Sequence, residues 1–196
     1  DAGVHRVLRR PEQLLFVVGL LLLGGSLKRQ LAIIGTFTVA HSITLALATF
    51  GAILLPVRIV EPIVALSVVY IGADTLLRGS RRRGTAAGTP AVDPAGPRFD
   101  IDPQFWIAAA FGLAHGFGLA NVLRELGPSH QALGSSLLWF NVGVEVGQAY
   151  IVWPVILLLA LLHSRWPSLA PRVAVVCSTL VVAAGAYRFV QHTFLS

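Results

Sequence analysis

Apolar residues fall into six long runs along the chain, separated by short clusters of charged residues, glycine and proline. A helix crosses a bilayer with about 20 apolar residues at ~1.5 Å each. The runs predict spans over residues 11–25, 31–55, 57–77, 104–123, 135–162 and 172–190. The first is short and is expected to extend upstream through Val7 and Leu8. Pro56 is read as the stop of the second span, and Pro103 and Pro171 as helix starts, where the missing N–H would be unpaired anyway. The expected fold is all-α, a polytopic membrane helical bundle of about six transmembrane helices. A basic amino-terminal segment (1–10) precedes spans one to three (11–78). A basic, Gly/Pro-rich loop (79–103) leads to spans four to six (104–196).

Composition supports a lipid-facing surface. Hydrophobic residues make up 55% of the chain and charged residues 12%, with a mean hydropathy of +0.74. Soluble domains carry about twice that charge fraction. The net charge of +6 and pI near 10.7 would suggest nucleic acid on a soluble protein. Here the basic residues lie between apolar runs without interleaved aromatics, so the expected partner is the lipid bilayer and not nucleic acid. Lys28, Arg29, Arg78, Arg81–Arg83, Arg98, Arg165 and Arg172 outnumber the basic residues of the other side, Arg6, Arg9, Arg10, Arg58, Arg124 and Arg188. The positive-inside rule then places both termini outside. The lone Cys177 excludes an internal disulfide and a thiolate metal cage, and is expected as a small core residue. Methionine is absent, from which an initiator lost upstream is expected.

Three ionisable residues fall near the middle of three different spans: His41, His115 and Glu145. Each is costly in hydrocarbon unless paired or wetted. Thr38, His41 and Thr44 share one helical face, as do Asn141, Glu145 and Gln148, and both faces are expected to turn inward. Imidazole with carboxylate suits a borderline dication such as Ni²⁺, Co²⁺ or Zn²⁺. Hydrogen bonding between helices and a proton relay are the other readings of the same residues. Gly112, Gly116 and Gly118 surround His115, and Gly143 and Gly147 flank Glu145; small residues allow close helix approach. The strings beginning at Phe37 and Phe111 share Phe, Ala, His, Leu and Ala at equivalent positions, a weak internal repeat. Glu61, followed by Pro62, opens the third span and is read as a helix-start charge or an entrance residue. Asp74, Glu125 and His163 are expected at interfaces or in pairs, and His130 and His192 carry no expected role.

The ordered segments EQLLFVVGLLLL (12–23), TFTVAHSITLALATFG (36–51), VEPIVALSVVYIG (60–72), FGLAHGFGLANVL (111–123) and FNVGVEVGQ (140–148) resemble motifs of the HupE/UreJ membrane proteins. The resemblance covers most of the chain from Glu12 to about Pro154. It implies a secondary permease of the bacterial inner membrane for nickel or cobalt, with no permanently bound cofactor and Ni²⁺ or Co²⁺ as cargo. Carried over by motif, His41, His115 and Glu145 would be the intramembrane metal positions. Asn141 and Gln148 would line the path beside them, and Glu12 and Glu61 would lie toward the outer mouth. The first motif departs from the family pattern: Arg6, Arg10, Glu12 and Gln13 stand where relatives carry His, Gly, Asp and His. That departure supports an alternative, a non-transporting accessory or anchoring subunit of a larger membrane complex, whose basic amino terminus docks an acidic partner or lipid headgroups. No nucleophile–base pair or cofactor motif suggests an enzyme.

Overall fold

A computed structural model describes residues 11–24, 26–53, 55–85, 102–125 and 133–194. Among these residues the chain forms six helices and no strand: α1 (Pro11–Leu22), α2 (Leu27–Thr49), α3 (Val57–Thr85), α4 (Pro103–Glu125), α5 (Leu133–Arg165) and α6 (Ala170–Phe194). The basic segment 1–10, including Arg6, Arg9 and Arg10, lies outside the described residues, as do 86–101 of the long loop and His130.

Local chemistry sets helix ends that differ from the expected ones. α2 begins at Leu27 rather than residue 31, because Ser26 caps it and accepts a hydrogen bond from the Arg29 N–H at 3.4 Å. It stops at Thr49, well before Pro56. Gly51 adopts φ +78°, and the Gly51 and Ala52 N–H groups bond back to the Ala48 and Leu47 carbonyls at 3.1 and 2.9 Å. That is a Schellman end, which needs a left-handed residue and is most easily met by glycine. α3 runs on to Thr85 rather than ending at 77. The Asp74–Arg78 pair, one turn apart at 2.9 Å, supports it there, and Gly79 alone does not break a helix. α4 starts at Pro103, with the Asp102 carboxylate accepting from the Gln104 N–H at 3.1 Å. A tight turn at Trp166–Leu169 launches α6 two residues earlier than expected, so Pro171 sits in its first turn.

The helices alternate in direction. α2 and α4 are parallel and form the most extensive contact in the bundle; α3 and α6 form the next, antiparallel. Glycine makes the first contact possible. A Cβ added at Gly112 would lie 2.5 Å from the Phe37 carbonyl oxygen and 2.9 Å from the Ala40 Cβ, and one at Gly116 would strike the His41 carbonyl. Backbone thus meets backbone, which the small-xxx-small spacing allows. On the other side, Gly72 packs against Val182 and the Ser178 carbonyl, and Gly185 against Val69. α1 lies between the two pairs: Phe16, Val17, Leu20 and Leu21 are buried with Ile33, Phe37, Val68, Ile71, Ala108 and Val181. At the end of the bundle where α2 and α4 begin, Arg29 ties them together, bonding the Asp102 carboxylate (Nε at 2.8 Å) and the Gln104 side chain at 2.6 Å. Burial opposes the Asp102 charge. The Arg29 hydrogen bonds, the Gln104 N–H and the nearby Arg29 and Arg78 charges outweigh it and hold the carboxyl below its usual range.

The surface has the polarity of a protein dissolved in lipid. Trp139, Tyr150, Leu157, Leu180 and Tyr187 are exposed, while Glu12, Gln13, His41, Ser67, His115 and Gln148 are buried. Cys177 is half-buried, not in the core. Four helices, α2, α3, α5 and α6, are long and apolar enough to cross a membrane. α1 is apolar but has only 12 described residues, about 18 Å of helix. α4 has the length, but it carries Gln104, His115 and Asn121 and packs closely on α2.

Gly116→Ala is expected to lower Tm in detergent by several degrees, since overpacking costs about 1–3 kcal/mol and a chain of this length shifts by roughly 2–4 °C per kcal/mol. Gly35→Ala, whose Cβ would meet nothing within 4 Å, is expected to leave Tm unchanged or raised. Equal behaviour of the two variants by thermal unfolding would contradict the backbone contact.

Candidate functional site

His115 sits halfway along α4, 3% exposed, with its ring against Phe16 and Phe37 at centroid distances of 5.2 Å each. Its Nε2 lies 3.0 Å from the Ser67 hydroxyl of α3, and that hydroxyl donates to the Val64 carbonyl at 2.6 Å. With the Ser67 proton committed, its oxygen accepts from His115. This assigns the proton to Nε2 and leaves Nδ1 as the lone-pair nitrogen. Ser67 is buried on an otherwise apolar stretch of α3, where no sequence signal sets it apart from other small helical residues.

A cavity of about 170 Å³ runs beside this histidine, with room for several waters. α1 contributes Glu12 and Gln13 to its wall, α3 Glu61 and Val64, α4 His115, and α6 Arg188 and His192. These residues lie toward the bundle end where α1 and α3 begin. Glu12, 6% exposed, is held there by Arg188, whose Nε donates to Oε1 at 2.5 Å and whose terminal nitrogen makes a second contact. His192 bridges the two acids, with Nδ1 2.9 Å from Glu61 Oε2 and Nε2 3.6 Å from Glu12 Oε1. Among the described residues, the remaining Glu12 oxygen, Oε2, and the Gln13 amide nitrogen are buried without hydrogen-bond partners. Gln13 thus faces the cavity at the position where the family pattern has histidine. Beyond His115 the path is closed by aromatic rings: Phe16 stacks on Phe37 at 5.0 Å and meets Phe111 edge-on at 5.6 Å.

His41 and Glu145 form a separate group between α2 and α5. His41 is fully buried, and its Nε2 lies 3.8 Å from Glu145 Oε1, beyond hydrogen-bonding distance. The Asn141 side chain and the Phe37 carbonyl approach the ring without completing a well-formed hydrogen bond. Thr38 reaches the Glu145 carboxylate. Asn141 exchanges hydrogen bonds with Ser42 at 2.9 and 3.2 Å, a link between helices of the structural kind. Gln148 is 3% exposed, and neither of its amide atoms has a partner among the described residues. The Thr44 hydroxyl turns back to the Ala40 carbonyl at 3.2 Å, and its Cβ packs where Gly116 approaches.

The five expected metal residues are therefore divided, with Glu12, Glu61 and His115 around the cavity and His41 and Glu145 outside it. Phe37 touches both imidazoles, at 5.6 and 5.2 Å, and keeps them apart. Among the described residues no group of three or more His, Cys, Asp or Glu side chains is arranged to hold a metal ion. In the sequence Arg188 counts only toward membrane orientation, and His192 is a residue near a helix end. Together they lie one turn apart on α6 and make a polar stripe in an apolar helix.

An apolar exterior, helices of membrane length and a polar cavity toward one end of the bundle define a polytopic membrane protein. The sequence pattern of the HupE / UreJ protein family matches residues 1–193, and the chain belongs to that family. No curated protein and no solved structure matches it.

Water in the cavity has a direct consequence for labelling. In a Cys177→Ser background, Val64→Cys is expected to react with a small membrane-impermeant thiol reagent, and Ile71→Cys, 2% exposed in the core, to remain unlabelled. Equal labelling of both positions would contradict a cavity confined to the Glu12 end.

Proposed function

We propose that the protein is a permease that passes a divalent transition-metal cation, nickel or cobalt, inward across the bacterial inner membrane. The observation that carries this reading is the cavity with two carboxylates near its mouth, Glu12 and Glu61, and a buried imidazole, His115, deeper in. Carboxylates attract a hydrated dication, and a neutral imidazole nitrogen suits nickel and cobalt once water is shed. Family membership supports the choice of cargo, through the association with nickel and cobalt that the sequence motifs implied. His41 and Glu145, beyond Phe37, are where an ion passing the aromatic closure would next find polar groups. In this reading the ion is substrate, bound loosely enough to leave. The excess of Lys and Arg on the opposite side of the membrane orients the Glu12 end outward, with both termini extracytoplasmic.

One feature favours the second reading, a non-transporting accessory subunit. Arg188 already neutralises Glu12, and the acids and histidines do not converge on a ready-made ion site.

Flux into liposomes separates the two. Purified protein reconstituted with an interior metal-sensing dye is expected to admit Ni²⁺ or Co²⁺. His115→Ala and Glu61→Gln should each reduce the rate by about tenfold or more, the scale on which loss of a metal-site group is felt. His163→Ala, exposed at the far end of α5, is expected to transport normally. Absence of flux from correctly folded wild-type protein would overturn the permease and leave the accessory subunit.

A further inference from the structure

His115 reaches the cavity wall with one of its two ring nitrogens already committed. Nε2 lies 3.0 Å from the Ser67 hydroxyl, which gives its own proton to the Val64 carbonyl at 2.6 Å. Both hydrogen bonds form only when Nε2 carries the ring proton. With the proton on Nδ1, the hydroxyl would have to donate to Nε2 and the bond to Val64 would be lost. Ser67 is fully buried and, among the described residues, is the one hydrogen-bond partner of the ring. Phe16 and Phe37 hold the same ring at centroid distances of 5.2 Å, through contacts that do not distinguish nitrogen from carbon. A half-turn of the ring would put Cδ2 in the place of Nδ1 and Cε1 in that of Nε2. The aromatic contacts permit either orientation; the Ser67 bond permits one. His41 shows the contrast. It is also buried, on the neighbouring helix, yet neither of its ring nitrogens has a hydrogen-bond partner among the described residues.

We infer that Ser67 is the positioning residue of the cavity: by holding the His115 proton on Nε2 and the ring in one orientation, it leaves Nδ1 as the nitrogen that binds the cargo ion. Resting on the permease reading, this names the nitrogen that meets the ion and the residue that prepares it. A histidine that ligates a metal through one nitrogen commonly donates from the other to an acceptor, which fixes the tautomer and raises the basicity of the ligating atom. Ser67 is that acceptor, presented by α3 across the helix interface. Val64, on the same helix and on the cavity wall, receives the hydroxyl proton and so turns the serine oxygen toward the ring. Nδ1 then has no proton to shed before it binds, and the imidazole is unchanged when the ion leaves. Without Ser67, a buried Nε2–H would stand unpaired beside two aromatic rings and the ring would be free to turn.

Wild type, Ser67→Ala and Ser67→Thr, each as the full-length chain in detergent, test this by two readouts. The first is nitrogen NMR of imidazole-labelled protein, with the His115 signals assigned by their absence from His115→Asn. Wild type should carry the proton on Nε2, and that proton should be hydrogen-bonded. Ser67→Ala should lose the hydrogen-bonded signal, and Ser67→Thr, which keeps a hydroxyl, should retain it. The second readout is titration of Ni²⁺ alone. Ser67→Ala should bind about tenfold more weakly or worse, and Ser67→Thr close to wild type. A proton on Nδ1 in the wild type would overturn the positioning role, and that spectrum decides even if Ser67→Ala fails to fold. A folded Ser67→Ala with unchanged Ni²⁺ affinity would overturn it too. Either result leaves the permease reading intact where the wild type binds Ni²⁺. A wild type that binds none would overturn the permease reading and the positioning role with it.

Discussion

The contact on which the arrangement depends is the one made without side chains. At Gly112 and Gly116, α4 lies so close to α2 that its backbone meets the Phe37 and His41 carbonyls. Because the two helices run parallel, that contact fixes His41 and His115 at one level and wedges Phe37 between their rings. It also decides which way each histidine can face. His115 is turned from α2 toward Ser67 of α3, and His41 toward Glu145 of α5. The cavity then forms on the α3 and α6 side, where Gly72 and Gly185 bring a second helix pair together. Two zipped pairs, with α1 between them, leave the polar residues nowhere but inside.

That geometry explains how ionisable groups are tolerated at depth. Glu12 and Glu61 are met by Arg188 and His192 across three helices, so a charge that would be costly alone is shared at one end of the bundle. His115 needs only Ser67, since an imidazole with one bonded nitrogen can stay neutral. At the other end, Arg29, Asp102 and Gln104 clamp the starts of α2 and α4. Between the two ends stands the Phe16–Phe37–Phe111 cluster, which separates the cavity from the Arg29 end. The cavity therefore lies at one end of the bundle and stops at the aromatic rings at its centre.

The architecture was legible because membrane helices announce themselves by length and apolarity, and because Ser26, Gly51 and Pro103 carry local end signals. The second helix differs from expectation at both ends because a capping serine, Ser26, and a left-handed glycine, Gly51, set them and Pro56 does not. His41, His115 and Gln148 are buried, while Thr38, Asn141 and Glu145 on the same polar faces are half-buried. Their grouping was not legible. Equal depth in three spans does not say which helices are neighbours or which way a ring turns, and Phe37 separates residues that spacing alone would unite. Arg188 and His192 show the same limit, since their meaning comes from Glu12, 176 residues away from Arg188 along the chain.

These residues make a membrane bundle with a carboxylate-lined cavity at one end, closed at its centre by aromatic rings. The decisive measurement is the position of a bound Co²⁺, located by anomalous diffraction from crystals of the intact chain. The ion is expected in the cavity, within reach of His115 and of the Glu12 and Glu61 carboxylates. An ion found only outside this cavity would contradict it.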